Sequence, residues 1–97
     1  MDNVKRYSSF IKRIVTAPDP IRKKLLKSSN LNIIKAICEI IYNILQKNIA
    51  VPKPVLKQLK KHRTVLYKLV EGKGFEGRRT ILVNNSKVIS PLATIFK

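Results

Sequence analysis

Lys57, Lys60, Lys61, Arg63 and Lys68 crowd one short stretch of the sequence with no acid among them. Steps of three, four and seven place most of these side chains on one side of a helix. Ammonium and guanidinium groups without acidic neighbours do one kind of chemistry: they neutralise anions and donate hydrogen bonds to phosphate. Two further sets have the same character, Arg22, Lys23, Lys24 and Lys27 near the N-terminus and Arg78 with Arg79 near the C-terminus. Lys outnumbers Arg, and Lys meets phosphate as a mobile point charge where Arg reads guanine edges bidentately. The pattern points to contacts with a phosphate backbone rather than to base readout.

Other chemistry has little to work with. Cys38 is the single cysteine and His62 the single histidine, so neither an intramolecular disulfide nor a Cys/His zinc site can be assembled. The neighbours Ile37, Ile40 and Ile41 predict a buried thiol and a reducing compartment, and His62, lacking the partners a catalytic histidine needs, reads as structural or incidental. Gly72, Gly74 and Gly77 predict a loop or hinge. They match neither a dinucleotide fingerprint nor a phosphate loop, because a helix precedes them and Arg78 and Arg79 follow. No catalytic constellation and no cofactor is expected.

The charge balance sets the class of partner. Among 97 residues, 21 are Lys or Arg and 5 are Asp or Glu, a formal net charge of +16. Residues 1–29 and residues 51–75 each contribute +6, on either side of a nearly neutral segment. Such a surface attracts nucleic acid or an anionic membrane before any specific contact forms. A 44% hydrophobic composition with three glycines separates the chain from disordered basic tails, which lack apolar surface for a core. The core is nonetheless small, since a domain of about 100 residues buries only some two-thirds of its chain surface. No signal-peptide core and no run of about 18 apolar residues occurs, and the expected location is intracellular or packaged.

The elements that must position the cations follow from periodicity. Val4, Tyr7, Ile11, Ile14 and Val15 predict a helix over residues 3–16 with a basic flank. Pro18 and Pro20 end it, and Asp19 is expected to cap a second helix that buries Ile21, Leu25 and Leu26 and points Arg22, Lys23, Lys24 and Lys27 outward. Ser28, Ser29 and Asn30 are good caps for the longest segment, Leu31 to about Lys47. There Ile33, Ile34, Ile37, Ile40, Ile41, Ile44 and Leu45 cover a wide face, and Tyr42 is expected in the core. Asn48 suits a left-handed helix end. A further helix from about Pro54 to Glu71 carries Val55, Leu59, Leu66, Leu69 and Val70 on one side and the cationic ridge on the other. Beyond Thr80, the runs Ile81–Val83 and Val88–Ile89 about Asn84, Asn85 and Ser86 suggest a small hairpin. Phe75, beside Arg78 and Arg79, is the aromatic retained as a contact.

The stretch LNIIKAICEIIYNILQKNIAVPKPVLKQLKKHRTVLYKL, with the downstream RRTILVNN, resembles a small basic protein encoded by Polinton/Maverick elements and the related adintoviruses. That family has an apolar helix of the form lIKAIcE...NvL.gN, a Pro-containing turn, a Lys/Arg-rich helix and a basic KRxLLVQ-like run. The corresponding residues here are Ile34 to Glu39, Asn43 to Leu45, Asn48, Pro52, Lys57 to Arg63 and Arg78 to Val83, about half the chain. Asn84 to Ser86 stand where the family has glycines before a longer apolar segment, so no role of that segment is carried over. The resemblance implies the product of a virus-like element, comparable to the small basic core proteins that adenoviruses pack with their DNA.

The expected fold is all-α: three to four short helices around the central apolar helix, with a loosely attached basic C-terminal loop or hairpin tail. Residues 1–77 are expected to form the basic helical domain and residues 78–97 a C-terminal extension. The expected function is sequence-independent binding and compaction of double-stranded DNA by Lys57, Lys60, Lys61, Arg63 and Lys68, helped by Arg22, Lys23, Lys24, Lys27, Arg78 and Arg79. Two rival classes remain open. The first helix has the stripe of a membrane-surface helix, without an interfacial Trp, and the Ile-rich segment could dock a partner protein or a second copy of the chain.

Overall fold

Helical spacing in the sequence becomes helix throughout the described part of the chain, residues 2–71 and 74–94 of a computed structural model. The order is α1 (Asp2–Arg6), α2 (Ser8–Thr16), α3 (Asp19–Ser28), α4 (Leu31–Leu45), α5 (Lys53–Lys61), α6 (Arg63–Val70) and α7 (Gly74–Asn84), followed by a 3₁₀ helix (Ser86–Thr94). The fold is an all-α bundle. Its radius of gyration is 11.9 Å, against roughly 12–13 Å for a compact chain of this length, so the net charge has not expanded it.

The bundle has two centres. One is α4, whose Ile33, Ile34, Ala36, Ile37, Cys38, Ile40, Ile41 and Ile44 are all buried, and on which α1, α2, α6 and α7 pack. Asn30 starts this helix by accepting the Ile33 N–H through its side chain at 2.9 Å, which satisfies one of the amides a helix start leaves free. Its other end departs from expectation: Lys47, not Asn48, takes the left-handed conformation, at φ 63°. Asn48 is engaged elsewhere, donating its side-chain N–H to Asn43 Oδ1 at 3.1 Å.

The other centre is the 3₁₀ helix, and here the expected hairpin is overturned. Residues 80–84 continue α7, and Val88, Ile89 and Leu92 are buried on a 3₁₀ helix that packs on α2, α3, α5 and α7. No strand occurs among the described residues. An isolated hairpin has little to stabilise it in water, whereas a three-residue period brings Ile89 and Leu92 to one side, toward the helices. The boundary expected at residue 77 falls inside α7, and residues 78–94 contribute to the same core as α4. The segment expected to hang loosely is therefore an internal support. In particular, α5 is docked on it, and the buried apolar side chains of the two elements are Val55 and Leu59 on one and Val88, Ile89 and Leu92 on the other.

The single helix expected over residues 54–71 is two helices. The chain turns at His62, at φ −111° and ψ 27°, where the His62 N–H reaches back only three residues to Leu59. A straight helix would hold one apolar stripe against one neighbour, but α5 packs on the 3₁₀ helix while α6 packs on α4 and α7. The turn lets each half meet its own partner.

Ile89 is fully buried, so Ile89→Ala is expected to cost about 2–4 kcal/mol in chemical denaturation. A cost near zero would mean that residues 86–94 are peripheral to the fold.

Candidate nucleic-acid interface

Of the cations singled out in the sequence, Lys57, Lys60 and Lys61 on α5, Arg63 and Lys68 on α6, and Lys23, Lys24 and Lys27 on α3 are exposed. The three remaining arginines have other surroundings. Arg22 was expected to point outward and is buried, at 6% exposure. Its guanidinium donates to the carbonyls of Ile14, Val15, Ala17 and Ser86 and to Asp19 Oδ1. Two of these acceptors lie in the last turns of α2, whose terminal carbonyls have no partner within the helix. Five acceptors orient α3 so that Arg22 and Leu26 face inward, and Ile21, expected inside, is 51% exposed. Asp19, the expected cap, makes no capping bond. Its carboxylate instead accepts from Arg22 and from the Ser86 hydroxyl.

Arg79 is likewise committed to the fold. It donates to Ser29 O at 2.6 Å and to Glu76 Oε1 at 3.0 Å, and its guanidinium carbon lies 4.2 Å from the centre of the Phe75 ring. Phe75, half-buried, is thus already covered by a cation of its own helix. Arg78 alone of the three forms no ion pair among the described residues, and its Nε, like that of Arg79, is buried without a hydrogen-bond partner. It lines a cavity of about 290 Å³ together with Lys35, Cys38, Glu39, Tyr42 and Val70. Burial pushes the Cys38 thiol up to about 11, against the opposing pull of Arg78, so the thiol is neutral at physiological pH. Tyr42, expected in the core, is 48% exposed, because α4 turns its isoleucines inward and residues 35, 38, 39 and 42 toward this cavity.

The sequence leaves open whether the two +6 regions oppose or adjoin one another. Lys23 of the first region and His62 of the second line a common open groove of about 360 Å³, together with Asp19, Asn84, Asn85, Ser86, Lys87 and Val88. Lys23 comes from α3, His62 from the α5–α6 junction, and Lys87 from the 3₁₀ helix. Asp19 at the groove is held below the usual carboxylate range, chiefly by the Ser86 hydrogen bond and then by Lys23, Arg22 and Lys87, while its partial burial acts the other way. Its charge is thus internally matched. His62 and Lys87 line the groove without being among the cations that the sequence singles out. No local signal marks them, since they reach the groove only through the turn between α5 and α6 and the helical course of the C-terminal segment.

The remaining chemistry is sparse. Among the described residues no group of three His, Cys, Asp or Glu is placed to hold a metal ion, and no helix is long and apolar enough to cross a membrane. No protein-family model, curated protein or solved structure matches this chain.

The different commitments of neighbouring cations on α3 can be tested by a pair of variants. Arg22→Met removes the donor to several buried carbonyls and one of the donors to Asp19 and is expected to destabilise by about 3 kcal/mol, with duplex affinity unchanged at a temperature where it is folded. Lys24→Met is expected to leave stability within about 0.5 kcal/mol and to lower duplex affinity. Denaturation and fluorescence anisotropy on both variants measure the two effects, and weakened binding by folded Arg22→Met would contradict this assignment.

Proposed function

We propose that this protein binds and compacts double-stranded DNA without regard to sequence, by neutralising backbone phosphates. The observation that carries the reading is the exposure of the lysines of α3, α5 and α6, with Lys23 and Lys87 lining one groove together with His62. Every described Lys or Arg side chain other than Arg22, Arg78 and Arg79 is exposed. Few acids intersperse them, so they remain available to a polyanion. Groups of this kind have no role beyond charge neutralisation and hydrogen bonding to phosphate, and phosphate contacts fix position without carrying sequence information. Exposed Lys5, Arg6, Lys12 and Arg13 on α1 and α2 are left for a second DNA segment, which is how so small a protein condenses a duplex. The resemblance to the small basic proteins of Polinton/Maverick elements and adintoviruses supports a setting inside a virion, where DNA must be neutralised to be packed. This reading gives the protein no catalytic role.

Binding of this kind is driven by counterion release. With roughly six to eight phosphates neutralised, log K against log salt concentration is expected to fall with a slope of about −5 to −7 on duplex DNA. Random, A·T-rich and G·C-rich duplexes should give the same line. Joint replacement of Lys57, Lys60, Lys61 and Lys68 by Gln should weaken binding on all of them alike and leave the circular dichroism spectrum unchanged. A slope near −1, or unchanged affinity in the fourfold variant, would reject the proposed surface.

A further inference from the structure

We propose that the cavity between α4, α6 and α7 holds one unpaired nucleotide, with its phosphate on Arg78 and Lys35 and its base against Tyr42 and Val70. The inference rests on the nucleic-acid reading above but concerns a different face and a different form of ligand.

Arg78 provides the first argument. A buried donor without a partner costs about 1–3 kcal/mol, and more when charged, yet the Nε of Arg78 is buried and unsatisfied. The Nε of the neighbouring Arg79 is unsatisfied as well, but the rest of its guanidinium is bonded to Glu76 and Ser29 and lies over Phe75. Arg78 forms no ion pair among the described residues, although Glu39 lines the same cavity. With Lys35 also present, the charged groups around the cavity sum to a single positive charge, which suits an anion.

The walls provide the second. Along α4, Leu31 and Tyr42 are the large hydrophobic side chains left exposed, and only Tyr42 lines the cavity. Lys35, Cys38, Glu39 and Tyr42 recur at helical spacing, so one stripe of the central helix presents a cation, a thiol, a carboxylate and an aromatic side chain to the same space. The thiol, raised to about 11, adds no negative charge to oppose a phosphate. Tyr42 and Val70 offer apolar surface next to the guanidinium. An anion alone would need only the cations. A nucleotide joins an anion to a flat apolar base, and base–aromatic stacking of this kind tolerates any sequence. The volume of about 290 Å³ lies just below the roughly 300–1,000 Å³ of small-molecule sites, which suits one nucleotide and nothing larger. Bases stacked within a duplex cannot enter it, so the ligand is a free nucleotide or a nucleotide of a single-stranded segment.

The test uses the full chain and three probes at one salt concentration: an eight-nucleotide oligothymidylate, thymidine monophosphate, and a blunt duplex. Tyr42→Leu, at an exposed position, should keep the wild-type melting temperature, weaken oligothymidylate binding about tenfold, and leave duplex affinity within about twofold. Arg78→Gln should show the same selectivity. In NMR spectra of the wild-type protein, the Arg78 Nε–H resonance should move on addition of the oligonucleotide and not of the duplex. Movement with thymidine monophosphate as well would identify the site as one for free nucleotides too, whereas movement with the oligonucleotide alone would confine it to strands. Oligothymidylate affinity unchanged in Tyr42→Leu, or duplex affinity falling by the same factor, would overturn the proposal. The two readings separate cleanly: duplex binding with no dependence of single-strand binding on Tyr42 rejects the cavity alone, and Tyr42-dependent single-strand binding without duplex binding rejects compaction alone.

Discussion

A formal charge of +16 on a chain of 97 residues is the constraint to which the rest of the structure answers. Like charges on so small a body repel across distances comparable with the Debye length, about 10 Å at 0.1 M salt. The core that must hold against this is correspondingly small. The chain meets the constraint by separation: α4 supplies buried isoleucines and almost no charge, while the lysines of α3, α5 and α6 are all exposed. Repulsion is thereby spread over the surface, where solvent and salt screen it. The same arrangement leaves the field unspent and available to a polyanion.

Arginine and lysine have divided the work. Arg22 and Arg79 present several donors in a fixed fork, and both join sequence-distant parts of the chain: Arg22 joins the α2–α3 turn to Ser86, and Arg79 joins α7 to the α3–α4 turn at Ser29. Backbone carbonyls accept these bonds, which suits a chain with few acids to serve as partners. The lysines, which suffer more from burial, stay outside. Positive charge therefore plays two opposed parts in one fold, and a count of cations overstates the surface available to a ligand.

Much of the fold is legible in the sequence. The Ile spacing of residues 33–44 predicts the central helix and its buried face, and Asn30 is among its expected caps. The exposed lysines of α3 and α5 are legible too, because helical periodicity turns Leu26 and Leu59 inward and leaves most of the lysines off that face. What periodicity cannot show is which polar side chain long-range partners draw inward. Arg22 is buried by carbonyls eight positions before it and sixty-four after it, and Tyr42 is exposed because neighbouring helices cover a different face of α4. The C-terminal segment misleads for a related reason: Ile81–Val83 and Val88–Ile89 are short, mostly β-branched runs whose local preference favours strand, and packing of α7 on α3, α4 and α6 and of the 3₁₀ helix on α2, α3 and α5 overrides it. The groove with His62 and Lys87 follows from that override and so lies beyond the reach of local patterns.

The central claim, that the free protein opposes its own charge and a polyanion relieves it, has a direct measurement in thermal unfolding over a salt series with and without duplex DNA. Screening should raise the melting temperature of the free protein as salt increases. Duplex at about 100 times the dissociation constant should add roughly 2.7 kcal/mol of stability at low salt, and this gain should shrink as salt weakens binding, so that the complex melts lower while the free protein melts higher. Converging curves of opposite slope are the predicted result. Parallel curves, or a duplex that leaves the melting temperature unchanged at low salt, would contradict the account.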